Sequence, residues 1–190
     1  IGINGARMAG FNLEYADLNG DGRLDIIGAG VGAVGNGLVW ITQPARKGDA
    51  WNARFIGTFA PDSITGLEVA DIDGDGDMDV FAGSYSRGER ESDDSNAQLT
   101  DPLGRLGWFQ NPGVSGTAWV RHGVSRRKRG MFDKFIAHDM DGDGDADFVG
   151  TRGNSYPYDG VFWLEQVRSA TPGARFVKAR AVDSDEVVLP

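Results

Sequence analysis

Short apolar or alternating runs, each bounded by Gly, Asp, Asn or Pro, recur along this chain, and none has the 3.6-residue spacing of a long amphipathic helix. Leu13–Ala16, Leu67–Ala70 and Phe135–His138 read as one set of strands. Asp25–Ala29, Asp79–Ala82 and Asp147–Thr151 read as the next set, each reached through an Asp/Gly-rich loop. A third strand carries a Trp inside an apolar run: Leu38-Val-Trp40-Ile41, Leu106-Gly-Trp108-Phe109 and Val161-Phe-Trp163-Leu164. A fourth follows at Arg54-Phe-Ile56, His122-Gly-Val124 and Arg175-Phe-Val177, twice led by a tryptophan, Trp51 and Trp119, expected to staple it. Four short strands per unit, repeated three times, predict an all-β fold built from β-propeller blades of four antiparallel strands. The recurring Trp40, Trp108 and Trp163 are expected to be core packing.

The units keep their phase. Ile56 precedes the loop at Asp71 by 15 residues, as Val124 precedes Asp139, and Ile1-Gly2 fits the slot of Ile56-Gly57 ahead of Asp17. The units are therefore placed at 1–56, 57–124 and 125–190, with the chain starting inside an outer strand. Three blades would leave two apolar sheet faces uncovered. The expectation is part of a larger propeller of six to eight blades, or closure by self-assembly.

The loops themselves carry the candidate chemistry. They read Asp17-Leu-Asn19-Gly-Asp21-Gly-Arg23-Leu-Asp25, Asp71-Ile-Asp73-Gly-Asp75-Gly-Asp77-Met-Asp79 and Asp139-Met-Asp141-Gly-Asp143-Gly-Asp145-Ala-Asp147. Side-chain oxygens at positions 1, 3, 5 and 9, with a backbone carbonyl at position 7, form an all-oxygen cage for a hard cation, and Ca²⁺ fits best. Glycine at position 6 permits the positive φ that wraps the chain around the ion. Only the carbonyl is needed at position 7, so the Arg23, Asp77 and Asp145 side chains are expected to point outward. An EF-hand opens similarly but requires a glutamate at position 12 and flanking helices; position 12 here is Gly28, Ala82 and Gly150. Metal-free Asp/Gly turns are the alternative. Three copies in register, each crowding like charges, favour up to three ions, one per repeat.

The loop, its strand context and the later Trp strand resemble FG-GAP/VCBS-type repeats, found in integrin α-chain propellers and in many secreted bacterial proteins. That resemblance implies a calcium-bearing propeller, usually of seven blades. The name-giving signature is degraded here to Ile27-Gly-Ala-Gly30, Phe81-Ala-Gly-Ser84 and Phe148-Val-Gly-Thr151. Asn111-Pro112-Gly113, following Trp108-Phe-Gln, resembles the W-x-E-N-P-G turn of the bacterial branch.

The rim opposite the aspartate loops holds the non-repetitive residues. Its second-to-third-strand loops are Gly30–Gly37, the much longer Ser84–Arg105, and Arg152–Gly160. Arg152, Tyr156, Tyr158 and Asp159 form a candidate ligand-binding set, in which tyrosines stack on a sugar ring and charges bond its hydroxyls; a Pro-stiffened turn is the plain alternative. The basic cluster Arg126–Arg129 also falls on this rim, as an anion contact, a solvated turn or a proteolytic site.

Composition narrows the partners. Net charge is −9, which argues against a nucleic-acid footprint, but thirteen of the 28 acidic residues and one base, Arg23, lie in the three loops, leaving 15 acids against 18 bases. The acidity is mostly candidate metal site. There is no cysteine, which removes disulfides and thiolate chemistry, and no apolar run long enough for a membrane helix. His122 and His138 are the two imidazoles, and no nucleophile stands at a recognisable spacing from either. The expectation is an extracellular or periplasmic, calcium-stabilised module presenting loops to a glycan or protein partner. A fragment of a carbohydrate-active propeller lyase or dehydratase, or a purely structural repeat, are the alternatives.

Overall fold

The computed structural model of the protein describes residues 6–32, 37–60, 62–85, 106–114, 116, 118–125, 131–153 and 159–168. Ile1-Gly2, most of the Ser84–Arg105 loop, Arg126–Arg129, Tyr156, Tyr158 and the strand expected at Arg175–Val177 lie outside the described residues. Within them the chain forms eleven strands and no helix. All pairings are antiparallel.

The first sheet is a meander of β1 (Ala6–Ala16), β2 (Asp25–Gly32), β3 (Gly37–Thr42) and β4 (Asn52–Gly57). The second repeats it with β5 (Ser63–Ala70), β6 (Asp79–Tyr85), β7 (Leu106–Gln110) and β8 (Val120–Ser125); the third contains β9 (Met131–His138), β10 (Asp147–Gly153) and β11 (Gly160–Leu164). The strands occupy the stretches that alternation marks out, and each Asp/Gly loop joins the first two strands of its unit. One difference is that the second and third units are joined into a single seven-stranded sheet by one pair, Tyr85↔Met131. The start of β9 leans onto the second unit: the Thr65 hydroxyl donates to the Phe132 carbonyl (2.8 Å).

Faces pack on faces. Ile27, Leu38, Trp40 and Ile56 of the first unit bury against Leu67, Val80, Ala82 and Phe109 of the second, with Phe59 between them. The opposite face of the second unit, Phe81 and Leu106, buries against Phe132, Phe135 and Phe148 of the third. Phe81 stacks on Phe148 with centroids 4.0 Å apart and meets Phe135 edge-on at 5.0 Å. The leading strands β1, β5 and β9 converge. An irregularity in β1 between Met8 and Leu13 frees Asn12, whose Nδ2 donates to the carbonyls of Thr65 (2.7 Å) and Asp133. Lys134 of β9 pairs with Glu14 of β1 and lies 3.8 Å from Glu68 of β5.

Not every expected core residue is covered. Trp40 is buried and Trp119 packs edge-on against it (6.4 Å), bridging two units where a staple within one outer strand was expected. Trp108 is half-buried and stacks on His122 (4.3 Å). Trp163 is 48 % exposed, because its face of the third sheet has no neighbouring sheet among the described residues. Phe11, Leu13 and Tyr15 on the outer face of β1 are exposed for the same reason.

The second interface is closely packed. A Cβ at Gly66 would stand 2.6 Å from the Phe132 carbonyl oxygen and 2.6 Å from the Phe135 ring. Gly66→Ala is expected to destabilise the protein by about 1–3 kcal/mol, because a backbone atom has to give way. Phe135→Ala, emptying a fully buried ring, should cost about 3–5 kcal/mol; both are read as shifts of the urea midpoint, and unchanged midpoints would show that the units do not stack as described.

Candidate metal centre

Each loop is wound on its own aspartates. In the second, Asp71 accepts from the Gly74 N–H (2.8 Å) at Oδ1 and from the Gly76 N–H (3.1 Å) at Oδ2. Asp139 does the same with Gly142 (2.7 Å) and Gly144 (3.1 Å). Asp73 and Asp75 then each accept from the amide two residues on, as do Asp141 and Asp143. Glycines at positions 4 and 6 supply φ of 78° and 94° in the second loop and 84° and 94° in the third, which a residue with a Cβ rarely adopts.

Position 9 acts differently from the rest. Asp79 is 1 % exposed and accepts from the Ile72 N–H at Oδ2 (3.0 Å) and the Asn111 N–H at Oδ1 (2.7 Å). Asp147 takes the Met140 (3.0 Å) and Gln166 (2.8 Å) N–H groups in the same way. Asp25 accepts from the Gln43 N–H (2.8 Å) and the Trp40 indole (2.7 Å). One buried carboxylate thus ties the loop to the end of the third strand. Burial pushes Asp79 up to about 6 against the pull of those two amides, and the Asp73 and Asp75 charges push the same way. Burial also raises Asp25. Asp17 ends below its ordinary value, since four backbone N–H donors outweigh the effect of burial.

The carboxylates of Asp71, Asp73 and Asp79 offer oxygens within 4.8 Å of one another, as do those of Asp139, Asp141 and Asp147. Positions 1, 3 and 9 therefore converge, whereas Asp75 and Asp143 at position 5 fall outside these groups. Such a donor set, oxygen only and strongly anionic, fits a hard divalent cation. In the first loop Asn19 leaves two carboxylates, Asp17 and Asp25, at these three positions.

The position-7 side chains do not all point outward. Asp145 is 7 % exposed and lies 3.7 Å from Arg168. Burial and the Asp143 charge raise its pKa to about 6. Arg23 folds back onto Asp21 in an ion pair and donates Nε–H to the Gln43 carbonyl (3.3 Å). Asp77 is half-buried. In each case the side chain finds a partner or a packing surface at the loop's own base.

Of the rim candidates, Arg152 is 4 % exposed with its guanidinium 6.0 Å from the ring centroid of Phe132, its neighbour across the β9–β10 pair, and Asp159 is exposed. Sequence reasoning missed the carboxamide three residues after each recurring Trp: Gln43, Asn111 and Gln166. The Asn111 side chain donates to the carbonyls of Leu18 (3.0 Å) and Met78 (3.0 Å), and Gln166 donates to that of Ile72 (2.6 Å). Leu18 and Ile72 both hold position 2 of the preceding unit's loop. The repetition of an amide at that spacing was the available signal.

If position 9 is a clamp as well as a potential ligand, Asp79→Ala strands two buried N–H donors, at about 1–3 kcal/mol each. Its loss of stability should persist in excess chelator. Asp73→Ala, on the exposed side of the loop, should cost less than about 1 kcal/mol under the same conditions. Urea denaturation of both variants in chelator checks the difference, and equal costs would remove the distinction.

A family model described as an FG-GAP-like repeat matches residues 17–82, from the first loop through the second and into β6. No curated protein and no solved structure gives a significant match to the chain. The third loop lies beyond the matched span yet repeats the backbone-to-carboxylate hydrogen bonds of the second. Residues 17–82 are similar to the FG-GAP-like repeat, and the described residues, all strand and loop, repeat the same loop once more beyond them.

Proposed function

We propose that this chain is a calcium-stabilised segment of a β-propeller, working outside the cytoplasm as a scaffold whose loops, at the rim opposite the cations, engage a glycan or protein partner. The convergence of three carboxylates in each of the second and third loops is the observation that carries it. Burial above all, with the Asp73 and Asp75 charges pushing the same way, raises Asp79 to about 6; a divalent ion at the same place would turn that repulsion into attraction. Asp71, Asp73 and Asp79 would hold one ion and Asp139, Asp141 and Asp147 the other, and the ion supplies only positive charge and coordination. Loops of this kind, part-exposed and built on backbone hydrogen bonds, suit the modest affinities matched to millimolar calcium outside cells.

The propeller reading is supported by face-to-face stacking of consecutive units and by the convergence of β1, β5 and β9. The exposed apolar residues Leu13 and Tyr15 at one end and Val161 and Trp163 at the other are the faces that further units of the same kind would cover. His122, one of the two imidazoles, is occupied by its stack on Trp108 and by the Gln110 side chain (3.1 Å), which favours a scaffold over a hydrolytic or lyase centre built on it.

Thermal denaturation with calcium and with chelator tests the reading. Calcium at 100 times its Kd should add about 2.7 kcal/mol for each site and raise the Tm accordingly. Equal magnesium should do much less, since the smaller ion gives up its water reluctantly. An unchanged Tm in millimolar calcium would sink the metal assignment.

A further inference from the structure

The first loop differs from the other two in both charge and hydrogen bonding. It holds three acids and one base, Asp17, Asp21, Asp25 and Arg23, where each of the others holds five acids. Position 3 is the neutral Asn19. At position 7, where the other loops have Asp77 and Asp145, Arg23 turns inward: its guanidinium pairs with Asp21 and its Nε–H is held by the Gln43 carbonyl at the end of β3 (3.3 Å). That second tether fixes the guanidinium against the loop, where a lone part-exposed ion pair would hold it weakly.

The winding changes too. Oδ1 of Asp17 accepts from the Asp21 N–H (3.1 Å), at position 5, a donor that Asp71 and Asp139 do not take, while the position-4 amide serves all three loops. Asp25 accepts from the Trp40 indole (2.7 Å) in addition to the position-2 amide of its own loop, Leu18, the donor whose counterparts Asp79 and Asp147 also hold. The loop keeps its shape through backbone donors to Asp17 and a side-chain cation on Asp21.

We infer that the Arg23 guanidinium serves the first loop as a built-in cation, so that the chain binds two calcium ions and its first repeat folds without metal. This rests on the proposed calcium sites of the second and third loops. The physical argument is competitive. A divalent ion entering the first loop would find one carboxylate fewer at position 3 and a tethered positive charge already paired with the position-5 carboxylate beside it.

Calcium binding to the 190-residue chain, measured by calorimetry after chelator treatment, tests the inference. The expected stoichiometry is two ions per chain, rising to three when Asn19→Asp and Arg23→Asp are combined. Three ions in the unaltered chain would overturn the inference and leave the proposed sites standing; none would overturn both. Because the double variant loads charge onto a loop that has none to spare, a second measurement removes the other sites instead. Asp73→Ala combined with Asp141→Ala should reduce calcium binding at least tenfold at both remaining loops and leave no ion bound at micromolar calcium. One ion still bound per chain in that variant would place it in the first loop and overturn the inference.

Discussion

The buried carboxylate that ends each Asp/Gly loop is the contact on which the rest of the molecule depends. Asp79 begins β6, holds the loop behind it through the Ile72 amide, and holds the residue after β7 through the Asn111 amide. Asn111 in turn passes its side-chain amide to Leu18 in the preceding loop. Asp147, Gln166 and Ile72 repeat the arrangement one unit on. A chain of hydrogen bonds thus runs from loop to loop across sheets whose backbones share one ladder pair, Tyr85↔Met131. Apolar stacking brings the sheets together without direction, since it depends on area more than on angle. The amide-to-carbonyl links are directional, and they set the register of one unit on the next.

This arrangement explains why carboxylates are used at a position that a neutral acceptor could also occupy. Two donors converge on Asp79 from different elements, and an ionised carboxylate offers both oxygens as acceptors with stronger bonds than an amide would make. The drawback is a buried charge, visible in the upward push on Asp79 and on Asp25. The three repeats balance it in different ways. In the first, Asp25 gains the Trp40 indole and the loop gains Arg23. In the second and third, the surplus negative charge faces two further carboxylates, where the proposed divalent ion would be its counterpart.

Much of the fold was legible because alternation and turn chemistry are local. The period-two pattern places β1 to β11, and glycine at positions 4 and 6 marks the loop that joins the first two strands of each unit. What the sequence pattern does not encode is which face of a sheet finds a neighbour. Trp40, Trp108 and Trp163 occupy one position in the repeat, yet one is buried, one half-buried and one exposed, because burial depends on the presence of the next sheet and not on the residue's own strand. The site divides similarly. Of the oxygens expected at positions 1, 3, 5 and 9, those at 1, 3 and 9 do converge, as the loop's length dictates, whereas position 5 falls outside the group. The direction of the position-7 side chains could not, because Arg23 is turned by the Gln43 carbonyl and Asp145 by Arg168, both beyond the loop.

The contrast between repeats also bears on how such a chain would assemble. A loop closed by its own arginine is complete as soon as the polypeptide has formed, whereas five carboxylates at close quarters oppose closure until a cation arrives. The first sheet therefore has the means to fold first and to present Ile27, Leu38 and Trp40 as a template for the second. Stacking then carries the second loop to Asn111, whose links to Leu18 and Met78 position Asp79 for its own amides. On the proposed reading a metal-independent repeat and the cation-dependent repeats stacked beside it would be complementary: the arginine would secure a template, and the cations would lock what packs on it.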